Sequence, residues 1–153
     1  MNTRIVKIII SLSLIVMVAG IAVNAQDFKV YGHIPFNFML GDVSMPAGDY
    51  NVTKLNVGNG RVFQVRDRDC ENYALRFVNQ LERMKAPTDT VLVFNRYGGY
   101  GGEESYFLSQ IWVEGNNTGY EVIKHRAERE AAERAAKRDI ITIVVNRADR
   151  RAE

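Results

Sequence analysis

The chain is short of the residues that staple or specialise small proteins. It has a single cysteine, Cys70, so no internal disulfide can form; in an oxidising compartment that thiol is buried, reactive or bridged to a second chain. Its neighbours, Asp67-Arg68-Asp69-Cys70-Glu71-Asn72, are polar and read as a loop. Nearby carboxylates disfavour the thiolate, which argues against a tuned nucleophile and leaves an unreactive thiol, with a Cys70-linked dimer as the alternative. Only two histidines are present, His33 and His125, and neither stands at ligand spacing from another His or Cys, so a zinc site has little support. There is no nucleophile elbow and no paired-acid motif, which leaves an enzyme without a recognisable signature. The Gly-rich stretch 98–102 lacks the Lys-Ser/Thr that completes a phosphate cradle. No cofactor is expected.

One long apolar run exists, and it lies at the start. Met1-Asn2-Thr3-Arg4-Ile5-Val6-Lys7 carries two positive charges and no acid, residues 8–21 are apolar apart from Ser11, Ser13 and Gly20, and Val23-Asn24-Ala25 offers modest side chains to a signal peptidase. That order is a secretory signal cut after Ala25. The run is shorter than the roughly 20 apolar residues a spanning helix needs, so no membrane span is expected after cleavage. No cysteine follows it, which closes the lipoprotein route. The expected location is periplasmic or secreted. Cleavage removes two of the 20 basic residues, Arg4 and Lys7, and none of the 18 acids, so the mature charge is balanced with neutral histidines. A neutral domain has no global field to draw in nucleic acid. Residues 26–146 then suffice for a single domain, followed by a charged tail at 147–153.

Beyond the signal the pattern is that of short strands between turns. Strand chemistry recurs at 28–31, 34–40, 50–55, 61–66, 73–78, 91–95 and 106–113. Phe36, Phe38 and Leu40 alternate with polar or smaller neighbours, as do Phe63 and Val65, the period of two that buries one face. Met45-Pro46-Ala47-Gly48-Asp49 is a tight turn, and Asn59-Gly60 closes a hairpin. Residues 91–95 are nearly all apolar, as suits a central strand. Residues 122–138 are rich in Ala, Glu, Arg and Lys, with Lys124–Glu128, Arg126–Glu130, Glu130–Arg134 and Glu133–Lys137 four apart. Ile123, Ala127, Ala131 and Ala135 form a narrow apolar stripe on the same helix. Residues 140–145 return to β-branched strand chemistry. The expected fold is mainly β: a small antiparallel β-sandwich or open barrel of about seven or eight strands, with one C-terminal helix followed by a last strand.

Two blocks resemble a family. Ile34-Pro35-Phe36-Asn37-Phe38, Gly41 and Met45-Pro46-Ala47-Gly48-Asp49-Tyr50-Asn51-Val52 are similar to the PF-[DN]-F…G…LPAG-x-Y-x-V opening of small exported proteins common in acidobacterial genomes. Leu92-Val93-Phe94-Asn95-Arg96-Tyr97-Gly98 and Tyr106-Phe107-Leu108-Ser109-Gln110-Ile111-Trp112, followed by Arg126-Ala127-Glu128-Arg129-Glu130, resemble its second half. Met45 stands where leucine is usual, and the Gly-rich insert between Tyr97 and Tyr106 is longer. That family carries no assigned activity, so the resemblance transfers no function.

Candidate chemistry is weak and falls in two places. Asp67, Asp69 and Glu71 alternate like the first ligands of a calcium loop, but Asn72 and Val78 stand where the EF-hand pattern wants Gly and Glu. The Gly-rich loop is flanked by aromatics, Tyr97, Tyr100, Tyr106 and Trp112, whose faces suit sugar rings, with Asn95, Glu103 and Glu104 as hydrogen-bonding groups. Core packing is the competing reading for Trp112 and Tyr106. These features point to an exported, non-enzymatic binding or scaffolding module, with a polysaccharide or another envelope protein as partner. A hydrolase acting on an envelope or extracellular polymer and a self-assembling structural protein are the alternatives.

Overall fold

The computed structural model describes residues 28–58, 60–99 and 103–147. The expected leader and the end of the charged tail lie outside them. Among the described residues the elements are β1 (Lys29–Ile34), β2 (Phe38–Leu40), β3 (Val43–Met45), β4 (Gly48–Val57), β5 (Gly60–Asp67), β6 (Tyr73–Glu82), β7 (Val91–Gly98), β8 (Glu104–Trp112), β9 (Thr118–Val122), α1 (Arg126–Arg134), β10 (Lys137–Val144) and β11 (Asn146–Arg147). The fold is mainly β and antiparallel apart from one short parallel contact of β2 with β8, with a helix and then a strand at the C-terminal end. It has more strands than the sequence pattern suggests. No described helix is long and apolar enough to cross a membrane.

The strand order is β10-β7-β8-β9-β6-β5-β4-β1-β11, with the β2–β3 hairpin attached to β8. Strand β6 turns the corner between two leaves: residues 73–77 pair with β5, and residues 78–82 pair with β9. The two ends of the order, β10 and β11, are separated in the chain only by Val145. The covalent chain therefore joins the two edges where no ladder does, and the sheet stays open there. Val145 is buried and donates its N–H to the Thr90 carbonyl at 2.9 Å.

The core lies between the leaves because each strand alternates. Val30 and Ile34 of β1, Tyr50 and Val52 of β4, Phe63 and Val65 of β5 point inward against Leu92 and Phe94 of β7, Leu108 and Ile111 of β8 and Tyr120 and Val122 of β9. Phe38 bridges the leaves, with its ring 5.1 Å from Tyr50 and 5.4 Å from Phe94. Full burial of one such side chain contributes about 1.5–3 kcal/mol. Trp112 is buried on the opposite face of β8 from Ile111, its ring pressed on Gly119 across the β8–β9 pair. A side chain at residue 119 would collide with that ring, so only glycine fits.

The Phe-Asn-Phe segment, the Pro-Ala-Gly turn and the strand after it are locked together by hydrogen bonds. The Ala47 N–H donates to Asn37 Oδ1 at 2.9 Å, and the Tyr50 hydroxyl donates to the Pro46 carbonyl at 2.6 Å. The first ties the Pro-Ala-Gly turn to the Phe-Asn-Phe segment before it, and the second ties the turn to the strand that follows. Burial, and then the negative charge of Asp67, push the Tyr50 hydroxyl up to about 12 from its ordinary 10.0. Below pH 10 both folded and unfolded chains keep this proton, and the full stability is present. Between pH 10 and 12 the unfolded chain ionises first, so stability falls, by about 2–3 kcal/mol in all for a shift of this size. Urea midpoints measured across that range should drop steeply in the native protein and less in Tyr50→Phe. The variant should also lose about 1 kcal/mol at neutral pH with the Pro46 bond. Equal alkaline slopes in the two proteins would refute this assignment.

The helix is shorter than the expected 122–138. Strand β9 claims Val122, and the Ile123 N–H donates to the Phe77 carbonyl. At the other end Ala135 is extended, Ala136 donates to the Gly98 carbonyl and Lys137 already pairs with β7. Ladder bonds at both ends win over the helical propensity of the flanks. His125 caps the helix, its Nδ1 accepting from the Ala127 N–H. Of the four expected pairs, Arg126–Glu130 and Glu130–Arg134 form. Glu128 instead turns inward, and Lys137 pairs with Asp139. The last strand starts at Lys137 rather than at residue 140.

Candidate functional site

A cleft of about 510 Å3 opens where four separate stretches meet: Tyr31–His33 of β1, Asp49–Asn51 of β4, Arg66–Arg68 and Cys70 at the end of β5 and its turn, and Asn146 of β11. Strand pairing sets this meeting. Tyr31 lies opposite Asn146 and Asn51, and Asn51 opposite Arg66, so these side chains form one row on one face of the sheet. His33 is paired with Asp49, and the bond between them is 2.8 Å, from Nδ1 to Oδ1. The Arg68 N–H donates to the Asp49 carbonyl at 3.0 Å, which holds the turn against β4.

Asp67 organises the turn. Its Oδ2 accepts from the Asn72 side-chain amide at 2.7 Å and from the Asn72 N–H at 3.0 Å. The Asn72 side chain, more than any other group, holds the Asp67 carboxyl below the usual carboxylate range. Its other oxygen, Oδ1, is buried and has no hydrogen-bond partner. Cys70 sits at φ 64°, a left-handed conformation rare outside glycine, is exposed, and turns Sγ toward the Arg68 carbonyl at 3.8 Å. Asp49 and Asp67 are offset by Arg66 and Arg68, so the cleft holds charges of both signs in balance. Tyr31, 42% exposed, adds an aromatic face.

The acids with calcium-loop spacing do not converge. Asp67 spends Oδ2 on Asn72, while Asp69 and Glu71 face solvent. Among the described residues no group of three or more His, Cys, Asp or Glu side chains is placed to hold a metal ion.

The aromatic set around the Gly-rich loop is dispersed by the fold. Trp112 is 2% exposed, with the Arg83 guanidinium 3.7 Å from its ring centre and Nε1 donating to Gln110. Tyr106 stacks on Phe36 at 4.2 Å, and its hydroxyl donates to Glu104 at 2.5 Å. Asn95 and Tyr97 are buried under α1: Asn95 Nδ2 donates to Glu128 Oε1 at 2.8 Å and the Tyr97 hydroxyl to the same oxygen at 3.1 Å. Burial and the Glu128 charge raise the Tyr97 hydroxyl above its usual value. A pocket of about 200 Å3 lies between α1 and the loop, touching Tyr97 and Glu103. Tyr100 lies outside the described residues. The aromatic rim expected from the sequence is thus packing, not a platform, for Tyr97, Tyr106 and Trp112.

Sequence reasoning passes over the cleft residues Tyr31, Asp49, Asn51, Arg66, Arg68 and Asn146. His33 and Asp67 stand out in the sequence for other reasons. No spacing signals such a set, because its members come from four strands. A scan against protein-family models finds no match to this chain, and searches of curated proteins and of solved structures find none either. The functional reading therefore rests on the cleft.

Proposed function

We propose that this chain is exported and serves, without catalysis, as a binding module for a neutral, hydroxyl-rich ligand such as a polysaccharide segment. The observation that carries this reading is the cleft of about 510 Å3, in which the exposed ring of Tyr31 stands in one row with hydrogen-bonding side chains. Tyr31 offers a flat face for a sugar ring, and Asn51, Arg66 and Asn146 line the same row with donors. Balanced charge around the cleft suits a neutral polyol better than a strong anion or cation.

Affinity electrophoresis and retention on cellulose, chitin, xylan and peptidoglycan test this. The native protein should be retained on one of them, and Tyr31→Ala or Arg66→Ala should each weaken binding about tenfold, as for contact residues elsewhere. Both side chains are solvent-facing, so folding is preserved. Lack of retention on all four, or unchanged retention in both variants, would remove the cleft from consideration. The His33–Asp49 pair is the arrangement a general base needs and favours a hydrolase as the second reading. Shortened polymer chains in the incubation would establish it.

A further inference from the structure

The strand order has two ends, and they are guarded unequally. Strand β11 is two residues long, too short to template another strand, whereas β10 runs for eight residues and among the described residues pairs only with β7. The bond from the Val145 N–H to Thr90 continues the β10–β7 ladder, so the odd-numbered residues turn their backbone groups toward β7. The N–H and C=O groups of Arg138, Ile140, Thr142 and Val144 point to the free side. Lys137, Arg138 and Asp139 put charge on the first part of this edge, but residues 140–144 carry no charge, proline, glycine or bulge. Their side chains are bare on both faces. Ile140 and Val144 are 66% and 65% exposed, and Ile141 and Ile143, which point into the core, are only partly buried, while their partners Leu92 and Phe94 on β7 are fully covered.

An open backbone edge accepts an extended chain, and the side chains here specify which one. Residues 140–144 read Ile-Ile-Thr-Ile-Val, nearly the same from either end. An antiparallel copy centred on Thr142 sets Thr142 against Thr142 and Ile140 against Val144 on the outer face, and Ile141 against Ile143 on the core face. β-Branched side chains pack well across strands, and facing threonines add a hydrogen bond. The backbone parity agrees, because Thr142 is one of the residues whose N–H and C=O point outward, so the central pair exchanges both bonds. Moving the centre to Ile141 puts Asp139 against Ile143 and Arg138 against Val144. Moving it to Ile143 sets Ile140 against Asn146, which β1 already holds. One register thus pairs the whole uncharged block with itself. Two copies joined in this way consume each other's long edge, and the contact closes as a two-fold dimer instead of growing into a fibre.

We propose that β10 pairs antiparallel with β10 of a second copy, centred on Thr142, so that the two leaves containing β7 join into one sheet. This inference is independent of the cleft. Sedimentation of the full chain in reducing buffer, where Cys70 forms no bridge, should show a dimer that dissociates on dilution. Thr142→Pro removes a donor that β7 does not use and should weaken the dimer on the order of a hundredfold. Ile140→Lys places a charge opposite Val144 and should weaken it about tenfold. Residue 140 is solvent-facing in the monomer, so that variant is expected to keep the native urea midpoint, which is measured alongside. The register is read in a Cys70→Ser background. There Thr142→Cys should close a disulfide with its own copy on mild oxidation, the two Cα atoms standing about 5.5 Å apart, whereas Ile140→Cys should not, at about 14 Å.

A native chain that stays monomeric at every concentration would overturn the proposal. So would a dimer that both Thr142→Pro and Ile140→Lys leave intact, since the contact would then lie away from this edge. Oxidation that links Ile140→Cys but not Thr142→Cys would place the two strands in another register and overturn it as well.

Discussion

Replacing Glu128 with alanine is expected to lower the unfolding free energy by about 3 kcal/mol, whereas Glu128→Gln should lose less than half of that. Glu128 is 5% exposed, and its Oε1 receives both the Asn95 amide and the Tyr97 hydroxyl. Alanine removes the acceptor and leaves two buried donors unpaired, each worth about 1–3 kcal/mol when orphaned. Glutamine keeps an oxygen that both can reach. The Arg138 guanidinium, which donates to Asn95 Oδ1 at 3.4 Å and lies 5.7 Å from the Tyr97 ring centre, puts positive charge beside the carboxylate. A helix as short as α1, nine residues, does not persist on its own. Hydrogen exchange in Glu128→Ala should therefore show α1 amides opening well before the β7–β8 amides. A urea midpoint within error of the native protein would mean that the helix is held by its alanines instead.

That alternative is the reading the sequence pattern favours, and the reason it fails is physical. Hydrophobic periodicity finds Ile123, Ala127, Ala131 and Ala135, but Ile123 is exposed and the alanines only half-buried. The side chain that fastens the helix is an acid, invisible to any search for apolar spacing. Its partners Asn95 and Tyr97 are likewise polar positions in a strand that otherwise reads as core. Strand β9 is missed for a related reason. Gly119 breaks the strand signal, and its true cause is the Trp112 ring lying against it, a contact between residues on different strands. By contrast the Pro-Ala-Gly turn, the Phe63–Val65 alternation and the apolar run of β7 are local, and each is legible from neighbouring residues along the chain. The cleft is the opposite case. Tyr31, Asp49, Arg66 and Asn146 become neighbours only through three strand registers. A one-residue slip of any of them would send half the row to the other face.

Gly32→Ala should cost about 3 kcal/mol, the upper part of the range for overpacking a filled interior, because of how the sheet's two edges meet. A Cβ on residue 32 would fall inside the Val145 Cγ1 methyl and 2.7 Å from Val145 Cβ. Val145 has little freedom to retreat. Its N–H is held by Thr90, β10 before it is laddered to β7 along its whole length, and β11 after it pairs with β1. Relieving the clash therefore means opening one of the two edges, and the two-residue β11 is the weaker. Trimming the obstacle should help: Gly32→Ala/Val145→Ala is expected to be more stable than the sum of the single changes by at least about 1 kcal/mol. Additive losses would show that Val145 is not what forbids a side chain here. The same displacement reaches the cleft, since Asn146 follows Val145 and shares the lining with Gly32 and Tyr31. Ligand affinity in Gly32→Ala should then fall together with stability and recover in part in the double variant. A single substitution that alters no stacking ring thus separates a cleft built by the closing edge from one carried by β1 and β4 alone.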